Sequence, residues 1–533
     1  MKSRQRSLIL VLILVSIFLF FWKLGELNFV DEDEAMYAQV AQEMLTRGDW
    51  VYPHLNNWYW IDKPLLVPWA IALSFKIMGR SELAIRTWHS IVGLLCVLLV
   101  YFFGKELFDK KTGFFSALIL ASCLQFFYQA RITLCDIPLT FFITLSLYLF
   151  LLFIRRRNVI FYYASVVSMS FATLVKGPVG VVLPVIIIIT YLLCTKKKIL
   201  SRMGKLHISA GMALFFAIVA PWFIAQTLRY GKEFVDKYFF YKHVQRILHP
   251  IDVVSPTKKP DPFYSYVLII AAGFIPWSGA LFHGMGCMLR RVWKDRNENE
   301  MFLIIWSGVI FVLFSVVGMK VPRYIMPVYP AAAIITGRFF ASMEGRKWVS
   351  FLLSFVLAPF LLAAVIFAAK QYHAVSSPYI SMLLPSVVIL GIGIGGASFL
   401  FFLKDKKFAF STFLLAGIAG YAALIFYSGK HFNTLRPSKR FASSINSLAA
   451  ENDRILDYRP PNPEPSLIFY TNRHIDFIYD EDQLVSVMNS EARVFCVIPS
   501  GEAESLGRKV SFYMLDESAG RMLVTNKFVR FKA

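Results

Sequence analysis

Residues 137–157 read IPLTFFITLSLYLFLLFIRRR, and positions 137–154 of that run carry no charge. A hydrocarbon core of ~30 Å is crossed by ~20 apolar residues in an α-helix. Only a segment that closes its own backbone hydrogen bonds is stable there, so the run predicts a spanning helix. Arg155-Arg156-Arg157 at its end then marks the cytoplasmic side, because short cytoplasmic loops collect Lys and Arg.

The same pattern recurs on both sides of this stretch. Candidate spans lie near 8–24, 83–103, 113–130, 137–154, 159–175, 177–194, 207–227, 264–286, 301–318, 323–341, 349–369, 379–403 and 408–427. The predicted fold class is an α-helical multi-span membrane protein of about thirteen transmembrane helices, with a small C-terminal α/β extracytoplasmic domain. Composition agrees: 57% of the 533 residues are apolar and 17% charged, against about 25% charged in a soluble domain. Mean hydropathy is +0.56. The opening MKSRQR and the apolar run Leu8–Trp22 resemble a signal peptide, but no small-residue cleavage site follows, so the run is read as an uncleaved first span. Six scattered cysteines without a CxxC pair exclude a disulfide framework and a metal knuckle.

The net charge of +22 is explained by topology without nucleic acid. With the N-terminus inside, the cytoplasmic connections hold Lys105, Lys110 and Lys111; Arg155–Arg157; Lys196–Lys198, Arg202 and Lys205; Arg290, Arg291, Lys294 and Arg296; Arg338, Arg346 and Lys347; and Lys404, Lys406 and Lys407. The outside loop 228–263 is basic too, with Lys232, Lys237, Lys242, Arg246, Lys258 and Lys259, which topology leaves to a ligand to explain. An odd number of spans puts residues 428–533 outside. That segment has strand-like runs at 454–458, 493–498 and 510–515 and helical patterns at 437–450 and 482–490, with Phe441, Ile445 and Leu448 on one face. It carries no motif with chemistry.

The first outside loop, 25–82, is the densest part of the chain. Asp31-Glu32-Asp33-Glu34 precedes a predicted helix from Ala35 to Arg47, closed by Gly48, and Trp50, Tyr52, Trp58, Tyr59 and Trp60 follow as an interfacial aromatic set. The acidic quartet either caps the helix or aims a carboxylate into a cavity at the membrane surface. Asp136 either neutralises Arg131 or supplies a second carboxylate. Lys63, Lys176, Lys320 and Arg323 at outer span ends either snorkel to headgroups or meet a phosphate-bearing substrate. Gly391-Ile392-Gly393-Ile394-Gly395-Gly396 matches GxGxxG, but it sits mid-span without a strand before it, and close helix packing accounts for it.

Taken in order, these motifs resemble a family of bacterial multi-span glycosyltransferases, that of the protein mannosyltransferases and the lipid A aminoarabinose transferases. The matching residues are Asp33-Glu34-Ala35-Met36-Tyr37-Ala38, Gly48-Asp49-Trp50, Pro53-His54-Leu55-Asn56 and Asp62-Lys63-Pro64. They continue with Arg131…Asp136-Ile137-Pro138, Lys176-Gly177-Pro178, Tyr238-Phe239 with His243 and Arg246, and Lys320-Val321-Pro322-Arg323-Tyr324…Pro327. The resemblance implies transfer of a sugar from an undecaprenyl-phosphate carrier to an envelope acceptor, lipid A or else protein or another glycan. The reaction would be a single inverting displacement outside the bacterial cytoplasmic (inner) membrane. It implies a transmembrane glycosyltransferase domain over 1–427, with loop 25–82 catalytic, and a soluble periplasmic domain over 428–533. Asp33 becomes the key carboxylate, with Glu34 and Asp136 further acidic residues. Tyr37, Lys63, Lys176, Arg246, Tyr324 and Lys320 become substrate-binding residues. Asp62 and His243 correspond to a structural divalent-metal pair, a zinc site, and no cofactor is required with certainty.

The chain departs from the aminoarabinose transferases at Ala35, Met36 and Gln39, where they carry Thr, Arg and Glu, and at Asp62, where they carry Glu. The missing arginine removes an anion contact and leaves the acceptor open. A lipid-sugar flippase is the competing class. It calls for inverted repeats and polar, broken helices at the midplane, whereas here the ionisable residues gather at outer span ends.

Overall fold

A computed structural model of the protein describes residues 2–30, 32–196, 199–245, 261–317, 320–342, 388–389, 392–393, 406–460 and 465–528. The expected span near 349–369 and most of that near 379–403 lie outside the described residues. The long chain of helices runs α1 (Lys2–Phe21), α2 (Glu32–Arg47), α3 (Leu66–Met78), α4 (Glu82–Leu107), α5 (Lys110–Ser122), α6 (Leu124–Gln129), α7 (Asp136–Arg156), α8 (Val159–Lys176), α9 (Val179–Cys194), α10 (Ile199–Phe234), α11 (Ser265–Gly273), α12 (Ser278–Asp295), α13 (Glu298–Val316), α14 (Tyr329–Ala341) and α15 (Lys406–Phe432). Five described helical stretches are long and apolar enough to cross a membrane: Glu82–Leu107, Asp136–Arg156, Val159–Lys176, His207–Tyr241 and Glu298–Val316. Shorter apolar helices accompany them at Gln5–Phe21, Leu66–Met78, Val179–Cys194 and Leu414–Tyr427. Two expected spans are broken. The run 113–130 divides at Cys123 into α5 and α6, and 264–286 divides between Gly273 and Ser278.

The chain forms two compact units. The first comprises Met1–Leu24, Ile61–Val67 and Arg86–Ile425. Its helices start where short polar side chains satisfy free backbone N–H groups. Asp109 accepts from Thr112 N at 2.8 Å, Asn158 from Ile160 N at 2.9 Å, and Asn297 from Asn299 N and Glu300 N at 3.0 and 3.2 Å. α7 and α8 form a tight antiparallel hairpin that turns at Arg157, a residue at φ +53°. At that end the basic residues are knitted to acids: Glu106 lies 3.3 Å from both Arg155 and Arg156, Arg291 pairs with Glu300 at 2.9 Å, and Arg338 with Asp109 at 3.3 Å.

At the other end of the hairpin, α8 stops at Lys176 because Gly177 adopts φ +82° and ψ −156°, a region closed to other residues. The chain then turns into α9 so closely that a Cβ on Gly180 would lie 2.3 Å from the Ala172 carbonyl carbon. Backbone cannot yield as a side-chain tip can. Gly180→Ala is therefore expected to cost about 1–3 kcal/mol, read as a lowered Tm in detergent. An unchanged Tm would mean that α9 is not fixed against α8.

The second unit comprises Gly25–Trp60, Pro68–Ile85 and Phe426–Ala533. It joins the first loop to the C-terminal segment. α2 begins at Glu32, inside the acidic quartet, and ends before Gly48 at φ +70°. Strands β1 (His54–Leu55) and β2 (Trp58–Tyr59) form a two-residue hairpin in which Asn56 and Asn57 both take positive φ, +54° and +68°, as a primed turn demands. Glu43 of α2 accepts from the N–H groups of Asn56 and Asn57 at 2.7 and 3.2 Å and fixes that turn.

The C-terminal sheet has the order β4-β3-β5-β7-β6, with β3 Arg454–Tyr458, β4 Asp476–Ile478, β5 Val494–Pro499, β6 Tyr513–Ser518 and β7 Arg521–Thr525. β4, β3 and β5 are parallel, while β7 and β6 run antiparallel. Alternate residues of β5 feed two cores, Val494, Cys496 and Ile498 on one face and Phe495 and Val497 on the other. A sheet covered on both sides reads as continuous apolar sequence for this reason. Helix α16 (Ser438–Leu448) buries Phe441 and Ile445 on the second face, the side its sequence pattern predicts. Helix α17 (Pro465–Thr471) holds the first loop: Phe469 and Tyr470 pack on Phe29 at 5.0 and 5.1 Å, Phe75 meets Phe469 at 6.0 Å, and Glu82 binds Lys439 at 2.5 Å and the Tyr470 hydroxyl at 3.0 Å.

Candidate active site

In the helical unit, α7 opens on Asp136, which places a carboxylate at a helix N-terminus where the macrodipole favours it. Lys176, forty residues later, is the last residue of α8. Its Nζ lies 2.5 Å from Asp136 Oδ1. Arg323 Nε lies 3.8 Å from the other oxygen, Asp136 Oδ2. The Lys176 ammonium also lies 4.2 Å from the ring centre of Tyr324, a cation–π contact. Asp136 is 3% exposed at its side chain, Lys176 15% and Arg323 24%. One carboxylate thus faces two cations, and the cluster has cationic charge to offer an anion. It lies at the end of α7 and α8 opposite Arg155-Arg156-Arg157.

The cluster is braced from behind. Arg323 and Tyr324 ride on a short 3-10 turn, Pro322–Val328. Gln125 of α6 donates to the Pro322 carbonyl at 2.6 Å, the Tyr266 hydroxyl donates to the Val321 carbonyl at 3.2 Å, and the Tyr329 hydroxyl donates in turn to Gln125 Oε1. Sequence reading missed Gln125, Tyr266 and Tyr329. The signal was present in Gln125, a polar residue in an apolar helix that must find partners inside the bundle.

Arg131 is not the partner of Asp136. It donates to the carbonyls of Leu19 and Trp22 at 2.9 and 2.8 Å, and Arg86 donates to Leu24 O at 3.1 Å, so both guanidinium groups close the C-terminal end of α1. Lys320 also turns away. Its ammonium donates to the Val317 carbonyl and its backbone N–H to Asp261 Oδ2 at 2.9 Å. Burial draws its pKa below the ordinary lysine value, against the opposing pull of Asp261. Asp62 and Lys63 lie half-buried between β2 and α3. Tyr238 is buried, stacked on Phe234 at 5.3 Å. Arg246 and the His243 side chain lie outside the described residues. Among the described residues no group of three or more His, Cys, Asp or Glu is placed to hold a metal ion.

In the second unit, Asp33 is partly exposed in the first turn of α2, and Tyr37, one turn on, is 2% exposed. The Tyr37 ring meets Trp60 edge-on at 6.0 Å, and the Trp60 indole donates to Met36 Sδ at 3.3 Å. Glu34 is fully buried and its Oε2 accepts from Val30 N at 3.1 Å, which ties the first turn of α2 to the chain just before it. Of the two carboxylates, Glu34 is buried and Asp33 is partly exposed.

These features define a helical membrane protein whose spans end in a carboxylate–cation cluster, with an acidic helix in its first loop. The dolichyl-phosphate-mannose-protein mannosyltransferase family matches residues 62–224. An uncharacterized protein of Aquifex aeolicus is 31% identical over 475 residues, 88% of each chain. The undecaprenyl phosphate-alpha-4-amino-4-deoxy-L-arabinose arabinosyl transferase of Erwinia tasmaniensis is 24% identical over 84% of this chain and 77% of its own length. The crystal structure of ArnT from Cupriavidus metallidurans bound to undecaprenyl phosphate aligns over 97% of this chain and 98% of its own, with a TM-score of 0.83 at 20% identity, a likeness of fold. The chain belongs to the family of membrane glycosyltransferases that includes the protein mannosyltransferases and the lipid A aminoarabinose transferases.

Proposed function

We propose that the protein moves a sugar from undecaprenyl phosphate to an envelope acceptor such as lipid A, at the periplasmic face of the bacterial inner membrane, by a single inverting displacement. The observation that carries this reading is the net cationic cluster of Asp136, Lys176 and Arg323, at the span ends opposite the triple arginine. The acceptor oxygen forms its bond to the anomeric carbon as the bond from that carbon to the carrier phosphate breaks, and the electron pair leaves on the phosphate. Fixed cations aimed at that developing charge are the main catalytic device for such a step. Lys176 and Arg323 supply them, Tyr324 shapes their surroundings, and Lys63 and Arg246 join them by family correspondence. Asp136 acts by positioning Lys176. Asp33 takes the proton if the acceptor is a hydroxyl. If the acceptor is a phosphate, no base is needed and Asp33 orients it or stabilises positive charge on the sugar.

On this reading residues 1–427 carry the transferase activity, with loop 25–82 in the reaction although most of it folds in the second unit, and 428–533 are non-catalytic and periplasmic. By family correspondence Asp62 and His243 would hold a structural divalent metal, and no reaction step runs through it. A second acceptor reading, protein or another glycan, is favoured by Met36 standing where the aminoarabinose transferases carry arginine. Purified full-length protein, given an undecaprenyl-phosphate sugar and lipid A, is expected to yield lipid A heavier by one sugar in mass spectrometry. Free undecaprenyl phosphate released with sugar on a protein or glycan instead selects the second acceptor. A donor left intact with every acceptor overturns the transferase reading.

A further inference from the structure

The second unit carries a cleft of about 450 Å³ between the β1–β2 hairpin and the open edge of the C-terminal sheet. Small-molecule sites fall in the range of roughly 300–1,000 Å³. Its floor is apolar, with Ile468 and Phe477, and its walls hold planar polar groups. Asp476 on edge strand β4 accepts from Arg454 at 2.8 Å and meets His474 Nε2 at 3.1 Å, so three side chains are fixed in one hydrogen-bonded chain while each stays at least one-third exposed. On the opposite lip stands Trp58, 74% exposed.

This indole is not on a loose loop. Asn56, beside it in the hairpin, donates to the Ile475 carbonyl at 2.8 Å and accepts from Ile475 N at 3.1 Å, which ties the hairpin to the sheet edge. Glu43 fixes the turn from the other side. The scaffold therefore holds a large flat apolar surface across from a row of hydrogen-bonding groups. A pyranose ring is complementary to such a pair of walls, with a C–H face to lie on the indole and hydroxyls at its rim to meet carboxylate, guanidinium and imidazole. A hydrocarbon chain is not, since it would strip water from Arg454 and Asp476 and return nothing.

On the reading of the protein as a glycan-modifying transferase, we infer that this cleft is a saccharide subsite that holds a hexopyranose unit of the acceptor, with Trp58 as the stacking platform and Arg454, His474 and Asp476 as the polar wall. The test titrates full-length protein in nanodiscs with a water-soluble probe, the glucosamine disaccharide from deacylated lipid A, and separately with undecaprenyl phosphate. Trp58→Ala and Arg454→Gln are each expected to weaken disaccharide binding about tenfold, the scale of one lost aromatic or charged contact. Undecaprenyl phosphate binding should stay unchanged, and transfer should show a raised KM for acceptor at constant kcat. Equal disaccharide affinity in the wild type and both variants overturns the subsite and leaves the transferase reading standing. Loss of donor binding or turnover in the wild type counts against the transferase reading alone. Trp58 emission, taken as the difference between wild type and Trp58→Phe, should be quenched by the disaccharide. Quenching by headgroup-labelled lipid instead places the indole in the bilayer surface and overturns the proposal.

Discussion

Asp33→Asn is expected to leave a folded, membrane-inserted protein whose turnover falls by about 10²–10⁴-fold, the range of a lost general base. The structural consequences of the change are small. Asparagine suits a helix N-terminus about as well as aspartate. The charge lost from the first turn of α2 is worth only ~0.3–1 kcal/mol at a partly exposed site, and the hydrogen bond that Val30 N donates to Glu34 remains to hold that turn. The chemical consequences are large, because an amide neither accepts a proton at neutral pH nor opposes positive charge on a sugar. The loss should appear in kcat, with undecaprenyl phosphate binding retained. Transfer near the wild-type rate would move the role to another carboxylate. Glu34, which is buried and accepts from Val30 N, and Asp136, which is buried and paired with Lys176, are the remaining two.

Individual helices were legible where a local signal existed. The run 137–157 gave α7 and its basic end, Gly48 gave the end of α2, and the Phe441–Ile445 face gave α16. The break between Gly273 and Ser278 had a local signal in Pro276 that the expected span 264–286 ran through, whereas the break at Cys123 has no proline or glycine to mark it and its contact is tertiary: Leu124 N donates to Ile275 O at 2.8 Å. In the C-terminal sheet the runs 454–458 and 493–498 gave β3 and β5 and 510–515 overlaps β6, while β4, with three residues, and β7, with five, carry no strong alternation. The site was half legible. Residue types at Asp136 and Lys176 pointed to charge chemistry, but nearness in sequence suggested Arg131 as the partner, while the true partner lies forty residues away across a helix hairpin. Likewise nothing local in loop 25–82 announces that Asn56 binds Ile475. Separation along the chain hides such contacts, whatever their strength.

The second large effect concerns the Asp136–Lys176 pair, where structure and chemistry pull together and must be separated. Lys176→Met alone leaves the Asp136 carboxylate, 3% exposed, without its 2.5 Å partner and with Arg323 at 3.8 Å. Asp136→Ala leaves two cations side by side. Breaking a buried pair from one side costs ~3–5 kcal/mol, enough to blur any activity measurement. The double variant Asp136→Asn/Lys176→Gln removes both charges and keeps a hydrogen-bonded pair of similar size. It is expected to regain most of the Tm lost in either single variant, since neither partner is left charged without the other. Turnover should stay down by roughly 10²–10³-fold, the effect of removing one donor aimed at developing negative charge. Asp136→Asn on its own adds a check of opposite sign. With the carboxylate gone, Lys176 loses its 2.5 Å counter-charge, so undecaprenyl phosphate should raise the Tm of this variant more than that of the wild type, as binding to the folded state alone requires. A double variant that recovers both stability and turnover would reduce the pair to a structural lock, and the phosphate would have to be met by Arg323 and the remaining cations of the chain.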